Sequence, residues 1–347
     1  MTEAEKSEAR EFVKEILSGV FQIQLHSSLK GISEIKVYLI PGQDRSLLID
    51  TGFRDRECQN KLEQAMDSLG ISAEKLDVFL THKHHDHCGL AYILAERGAR
   101  IFLSPVEERH RYDCLHYSHG ESDDQDEVLR YVGITAEGTP RLWNMFKDLV
   151  IADKEGELLI EKFPYSPILP GDVFRYGQYR FRAVSLSGHT LGQTGLYEED
   201  KRILFTADQV LNGIVPIVAT SYKDENLLNR YFQSLKEIKE LYSDCTLIPA
   251  HGKVPVENPA KTIDHIVFSY LEKINIMKQI LDHARNPMTV RQVASIAYGM
   301  EKIPENLDQL MKLKMVISKT FSCLEFLYEQ DFAVRTERDG TLYWESP

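Results

Sequence analysis

The run THKHHDH at 81–87 puts four metal-ligating side chains, His82, His84, Asp86 and His87, into six residues. Imidazole and carboxylate donors suit zinc, iron or manganese, and no thiolate is needed. In an extended loop His82 and His84 fall on one side, which leaves Asp86 and His87, beyond the turn, to face a second ion. Three further segments each carry one ligand-type residue where an apolar run gives way to a loop: His189 in SGHTLGQTG, Asp208 at the end of FTAD, and His251 in PAHG. Taken singly, each reads as an ordinary core or surface residue. Taken together, five histidines and two carboxylates can fill two metal sites with one carboxylate shared. Ions paired in this way lie roughly 3.5–4 Å apart and make a nucleophilic hydroxide near pH 7.

Those residues need elements to position them. Short β-branched and aromatic runs at 21–25, 35–40, 46–50, 78–81 and 101–103 read as strands. Between them, 58–69 has helical spacing, with Leu62, Ala65, Met66 and Leu69 on one face, and a second helix is expected over about 90–97, ended by Gly98. Strands return at 179–186, 195–199, 202–208 and 246–252, with an amphipathic helix at 226–241. Every candidate ligand thus sits at a strand-to-loop junction, a usual place for function on a rigid scaffold. The stretch 105–164 differs: it is acidic, rich in Tyr and His, and mostly helical, and it reads as an inserted cap. Its His110, Tyr112, His116, Tyr117, His119, Trp143 and Phe146 either wall a substrate pocket or form the core of the cap itself. Residues 123–127 read as a solvated acidic face. Beyond Asn258 the spacing predicts a long helix at 263–284, a short helix opening at Met288-Thr289, two more at 305–313 and 319–330, and a hairpin at 332–344 turning on Asp339-Gly340. Three helices and a hairpin are a winged-helix pattern.

The segments LLIDTG (47–52), THKHHDH, SGHTLGQTG, FTAD and PAHG, in that order, resemble the motif set of the metallo-β-lactamase fold superfamily over residues 21–251. The resemblance implies an α/β (α+β) fold, a four-layer αββα sandwich with its site at one edge between the sheets. It implies that His82, His84 and His189 hold a first metal ion, that Asp86, His87 and His251 hold a second, and that Asp208 bridges them. Asp50 resembles the buried aspartate that supports the ligands from behind. His85 occupies a variable position. Superfamily members that chiefly cleave β-lactams usually carry a cysteine ligand; Cys88 merely follows His87. The ligand set resembles that of thioesterases of the glyoxalase II type, lactonases, phosphodiesterases and RNA-processing nucleases. Two positions depart from the family pattern: Ala207 stands where a glycine is common, and Gln193 where a second histidine is common. Neither is a ligand position, so the departures bear on loop geometry. The expected organisation is a catalytic domain at 1–258, with the cap at 105–164, followed by a winged-helix-like domain at 259–347.

The chain of 347 residues is 43% hydrophobic and 27% charged, which excludes a disordered chain. With 41 basic and 53 acidic residues the net charge is −12, and a broad grip on nucleic acid or anionic lipid is disfavoured. The C-terminal segment also lacks a basic surface, since its candidate recognition helix KTFSCLEFLYEQ holds Glu325 and Glu329 against Lys319. A structural, shielding or dimerising role is expected of it, and a homodimer is one expectation. Five scattered cysteines without a CxxC pair, no long apolar run and no export signal are the pattern of a reducing cytoplasm. The leading expectation is a metallo-hydrolase that turns a dinuclear-site hydroxide on a small-molecule ester, thioester or lactone. Its cofactor would be two divalent ions, zinc first, with iron or manganese as alternatives. Asp86 would orient the nucleophile and accept its proton. A metal-dependent ribonuclease or phosphodiesterase, and a metal-holding sensor with little turnover, are the competing readings.

Overall fold

Strand residues of alternate parity face opposite sides of a sheet, and here both sides are apolar. The structure, a computed structural model, describes residues 12–27, 34–110, 122–152 and 162–347. Strands β1 (Val13–Leu17), β2 (Val20–His26), β3 (Glu34–Ile40), β4 (Ser46–Ile49), β5 (Leu76–Phe79), β6 (Arg100–Leu103) and β7 (Ser166–Pro167) form one sheet in that order. Pairing is antiparallel from β1 to β4 and parallel from β4 to β7. Strands β8 (Val173–Tyr176), β9 (Tyr179–Ser185), β10 (Thr194–Glu198), β11 (Ile203–Ala207) and β12 (Thr246–Pro249) form the second sheet, in the order β12-β11-β10-β9-β8. Only the β11–β12 pair in it is parallel.

The helices that cover the first sheet are α1 (Arg56–Ser68), α2 (His85–Cys88) and α3 (Ala91–Glu96). The insertion supplies α4 (Pro105–His110), α5 (Ser122–Tyr131) and α6 (Pro140–Ala152). Next come α7 (Leu227–Leu241) and then α8 (Pro259–His283), α9 (Val290–Tyr298) and α10 (Leu307–Glu329). Tyr38, Ile40, Leu47, Ile49 and Phe79 point between the sheets and meet Phe181, Leu196, Phe205 and Ile248. The opposite parity, Ile35, Val37, Leu39, Leu48 and Val78, packs on Leu62, Ala65 and Met66 of α1 and on Leu94 of α3. The outer face of the second sheet, through Tyr197, Leu204 and Leu247, meets Leu228, Leu235 and Ile238 of α7. The result is the expected four layers, αββα.

The C-terminal helices share that last core. Ile263, Ile266, Phe321, Leu324 and Trp344 belong to one buried cluster with α7, and so do Val128, Val132, Leu142 and Phe146 of the insertion. Strand β13 (Met288–Thr289) and the hairpin β14 (Val334–Arg338) and β15 (Thr341–Glu345) make a small sheet in the order β13-β15-β14. The hairpin turns where expected, with Asp339 and Gly340 both at positive φ. One expectation fails: α10 is a single helix where two were predicted. Lys314 and Ser318, polar interruptions in the sequence, are both buried here, because this helix is packed on several sides and has no single apolar stripe. No Gly or Pro breaks the chain between 307 and 329.

Phe146 is a core residue and Trp143 packs against the same core. Insertion and extension are joined closely: Arg291 N donates to Val132 O at 2.9 Å, and a Cβ on Gly133 would lie 2.5 Å from Thr289. His110 ends α4, while Tyr112, His116, Tyr117 and His119 lie outside the described residues. Of the 123–127 stretch, Asp126 is not simply solvated, since it pairs with Lys147 at 2.7 Å. Among the described residues, Cys58, Cys88, Cys245 and Cys323 are buried and form no disulfide. No described helix is long and apolar enough to cross a membrane.

Candidate metal centre

The ends of β4, β5, β9, β11 and β12 open at the same edge of the sandwich. Asp50 follows β4, residues 81–87 follow β5, His189 follows β9, Asp208 follows β11 and His251 follows β12. The structure brings all seven expected ligands together. His84 Nδ1 lies 2.9 Å from His82 Nε2 and 3.0 Å from His189 Nε2. On the other side, His251 Nε2 lies 3.2 Å from Asp86 Oδ2, and His87 Nε2 lies 3.7 Å from the same oxygen. Asp208 stands between the groups. Its Oδ2 faces His189 Nε2 at 3.6 Å, while its Oδ1 lies 3.5 Å from both His87 Nε2 and His251 Nε2. Three donor triads of this cluster, His82–His84–His189, His82–His87–Asp208 and Asp86–His87–His251, are each compact enough to hold an ion.

The outer nitrogens of His189, His251, His87 and His82 are tied down, which sets where the inner nitrogen of each ring points. His189 Nδ1 donates to Ile217 O at 2.8 Å and His251 Nδ1 to Glu34 O at 2.6 Å. A carbonyl only accepts, so each Nδ1 carries its hydrogen and Nε2 is the donor atom aimed inward. His87 Nδ1 bonds Asp50 Oδ2 at 2.7 Å. His82 Nδ1 lies 3.0 Å from the Thr81 hydroxyl, which in turn reaches Asp50 at 2.9 Å. Asp50 therefore stands behind His87 directly and behind His82 through Thr81. His87 Nε2, His251 Nε2 and Asp208 Oδ1 are buried without a hydrogen-bond partner. Ring nitrogens and carboxylate oxygens converging in a buried place without hydrogen-bond partners fit a cation, and this nitrogen and carboxylate donor set fits a divalent transition metal.

The charges agree. Burial opposes a charge on His87, but Asp50, Asp86 and Asp208 outweigh it and hold its pKa well above the usual histidine value. Burial also opposes ionisation of Asp86 and Asp208. The surrounding histidines, His87 and His251 foremost, prevail and hold both carboxyls below their ordinary range. His82, fully buried among His87, His84 and His189, is pushed well below the usual histidine value. The site thus calls for positive charge beside its carboxylates and is hostile to a proton on His82 and His189.

Sequence reasoning missed several supporting groups. Glu107, fully buried on α4, accepts from Lys83 N at 2.8 Å and from Gly192 N at 2.5 Å, and so ties the loops of His82–His87 and His189 together. No signal marked it among the other acidic residues of the insertion. Thr81 was in view but read as a strand end. The carbonyls of Glu34 and Ile217 carry no sequence signal at all. His85, the variable position, is partly exposed and its ring lies 5.8 Å from that of Phe53. Gln193 is buried and donates to Gln209 Oε1 at 2.9 Å. Gly188 has φ +134, and a Cβ there would lie 2.3 Å from Tyr231 Cα, so glycine lets the His189 loop press on α7. A narrow cleft bordered by Lys83, Thr190, Leu191 and Leu227 opens beside His84 and His189. A larger one of about 260 Å³ lies between β9 and α7 and touches none of the site residues.

Residues 33–278 match the model of the Metallo-beta-lactamase superfamily, a span that runs past residue 258 into α8. The acyl-coenzyme A thioesterase MBLAC2 of Gallus gallus is 23% identical over 290 residues, covering 82% of this chain and 93% of that protein. The hydroxyacylglutathione hydrolase GloC of Haemophilus influenzae is 23% identical over 193 residues, 55% of this chain and 74% of its own. A metallo-beta-lactamase family protein from Thermus thermophilus superposes with a TM-score of 0.74 at 18% identity, covering 96% of this chain and 100% of that one. A beta-lactamase domain protein from Burkholderia ambifaria does so with a TM-score of 0.75 at 21% identity, covering 96% and 93%. At such identities the solved structures speak to the fold alone.

Proposed function

The chain belongs to the metallo-beta-lactamase superfamily, and from that membership we propose that it hydrolyses a small-molecule thioester at a centre of two divalent metal ions. His82, His84 and His189 would hold one ion, Asp86, His87 and His251 the other, and Asp208 would join them. Zinc is the first choice, and iron and manganese share the donor chemistry. Bound ions of this kind polarise a carbonyl oxygen and lower the pKa of water, so that it attacks near neutral pH.

The observation that carries the reading is the placement of Asp208, with one oxygen toward His189 and the other toward His87 and His251. A carboxylate so divided suits two ions better than one. Asp86, held ionised beside His87 and His251, is the group we assign to orient the attacking water and take its proton. Asp50 keeps His87 turned inward while this happens. The cleft at His84 and His189 would admit the reacting end of the substrate.

The thioester class rests on the relatives. One is named an acyl-coenzyme A thioesterase and one a hydroxyacylglutathione hydrolase, and an acylglutathione is itself a thioester. The phosphodiester reading loses support from α10. Its Glu325 is buried and ion-paired with Arg335 at 2.6 Å, so this helix serves packing where nucleic-acid recognition would want exposed Arg and Lys.

The test is a substrate panel on protein of measured metal content. Short and long acyl-coenzyme A thioesters, S-acylglutathiones, a lactone and a bis-aryl phosphodiester would be compared by kcat/KM. About two ions per chain and a preference for a thioester are expected, with activity lost on chelation and restored by zinc. Asp208→Asn should lose turnover by orders of magnitude and remain folded. Fewer than one ion per chain after metal-replete expression, or faster phosphodiester cleavage, would overturn the assignment.

A further inference from the structure

The stretch 216–220 between β11 and α7 carries the Ile217 carbonyl that accepts from His189 Nδ1. Whatever fixes this stretch fixes the direction of His189 Nε2. The C-terminal helices supply the bonds that do so. The Tyr270 hydroxyl on α8 donates to Pro216 O at 2.7 Å and accepts from Val218 N at 2.8 Å, clamping the residues on either side of Ile217. Ser322 Oγ on α10 accepts from Thr220 N at 2.9 Å and sits 2.9 Å from Val218 O and 2.8 Å from Thr220 Oγ1. Tyr270 and Ser322 are both buried, at 0% and 1% exposure, so water does not substitute for these bonds. Farther along, Glu325 on α10 accepts from Asp224 N at 2.8 Å, and Arg335 on β14 reaches Asp224 at 2.7 Å. Ala219 of this stretch, with Ser221 and Glu225 just after it, borders the cleft beside His84 and His189.

We propose that the C-terminal extension is a positioning element of the metal centre, in which Tyr270 and Ser322 hold residues 216–220 and, through Ile217 O, aim His189 at the ion. The inference rests on the reading of His189 as a metal ligand. An extension that merely covered the apolar face of α7 would need the ring of Tyr270 and would have no use for its hydroxyl. Here both hydrogen-bonding capacities of that hydroxyl are used, and both on the segment that holds a ligand.

The test uses the full-length chain as wild type, Tyr270→Phe, Ser322→Ala and, as a control, Tyr179→Phe. The control removes a hydroxyl that bonds Ser18 O in the turn after β1, away from the site. Metal-free proteins are titrated with Co²⁺, followed by its visible absorption and by competition with a chromophoric chelator. Loss of an orienting partner behind a ligand weakens metal binding by about 10- to 100-fold, and one bond further out about 3- to 30-fold is expected. Tyr270→Phe and Ser322→Ala should each show that loss and faster hydrogen exchange over 216–222, and Tyr179→Phe should stay within about twofold of wild type. Should Tyr270→Phe not fold, Ser322→Ala carries the comparison. Wild-type cobalt affinity in the folded variants, with only the melting temperature lowered, overturns the inference and leaves the metal centre standing. A wild-type chain that takes up no cobalt removes the centre and the inference with it.

Discussion

Asp50 accepts from Thr81 N at 2.8 Å, from the Thr81 hydroxyl at 2.9 Å and from His87 Nδ1 at 2.7 Å. It is 2% exposed and holds φ at +61, so its backbone is strained toward the position its side chain needs. Asp50→Asn keeps the shape but puts an NH₂ group where an acceptor was, opposite either Thr81 or His87. We expect a folded protein whose metal affinity falls about 10- to 100-fold, read by chelator competition, because His87 loses its orienting charge and His82 its Thr81 relay. Unchanged affinity would show that the rings are held by packing alone. The seven candidate ligands were legible in the sequence because each is a chemistry-bearing residue at the end of an apolar run. The groups that aim them were not, since a backbone carbonyl has no residue type and Glu34 lies 217 positions from His251. Glu107 was invisible for a different reason: one carboxylate among many acidic neighbours reveals itself only through the two amides it reaches.

At the scale of elements, the two departures from the family motifs have different consequences. Gln193 is absorbed by a buried partner, Gln209, while Ala207 bears on the backbone. Ala207 stands at φ +45, a left-handed conformation that a glycine would take freely, and it lies at a register shift between β11 and β12. An L-residue there costs about 1–2 kcal/mol. Relief of that strain by Ala207→Gly is opposed by a lost buried methyl, about 0.8 kcal/mol, and by a freer unfolded chain. The two should stay within about 1 kcal/mol of each other in urea unfolding, whereas Ala207→Val, β-branched at positive φ, should lose at least about 2 kcal/mol. A Val variant as stable as the parent would mean the turn relaxes. The helix α10 carries a second expectation. Burial, with Glu325 and Asp224 nearby, pushes the Glu329 carboxyl up to about 7. A carboxyl whose pKa is raised on folding contributes stability that is whole below about pH 4.5 and is lost as pH rises through 7. Glu329→Gln should therefore melt higher than the parent at pH 8 and match it at pH 4.5. The group is half-buried, and the gain, discounted for solvent screening, stays under about 1 kcal/mol. A gain that is larger at pH 4.5 than at pH 8 would contradict the sign. That α10 was read as two helices follows from the same packing: its burial of Lys314, Ser318 and Glu325 makes polar residues interior.

For the molecule as a whole, the layers of the sandwich were legible because alternate residues of each strand are apolar toward different neighbours. The way the peripheral parts meet was not, because it depends on contacts between positions that no local pattern links. The insertion and the extension look separate in the sequence, by composition and by periodicity. In the structure Val128, Val132 and Phe146, Leu228 and Tyr231, and Ile266, Phe321 and Trp344 share one buried cluster. Ion pairs follow the same seam, as between Lys223 and Glu337 at 2.7 Å. A core shared in this way should open in one step. Calorimetry of the metal-loaded chain is expected to give a single transition, and chelation should lower its midpoint without dividing it, since a ligand of the folded state shifts the equilibrium by mass action. A chain ending at residue 258 should lose the cover over Leu228 and Val218 and bind a hydrophobic dye or precipitate. Two resolved transitions, or a soluble 1–258 fragment with wild-type cobalt affinity, would show that the extension is an appended module and that the metal centre stands without it.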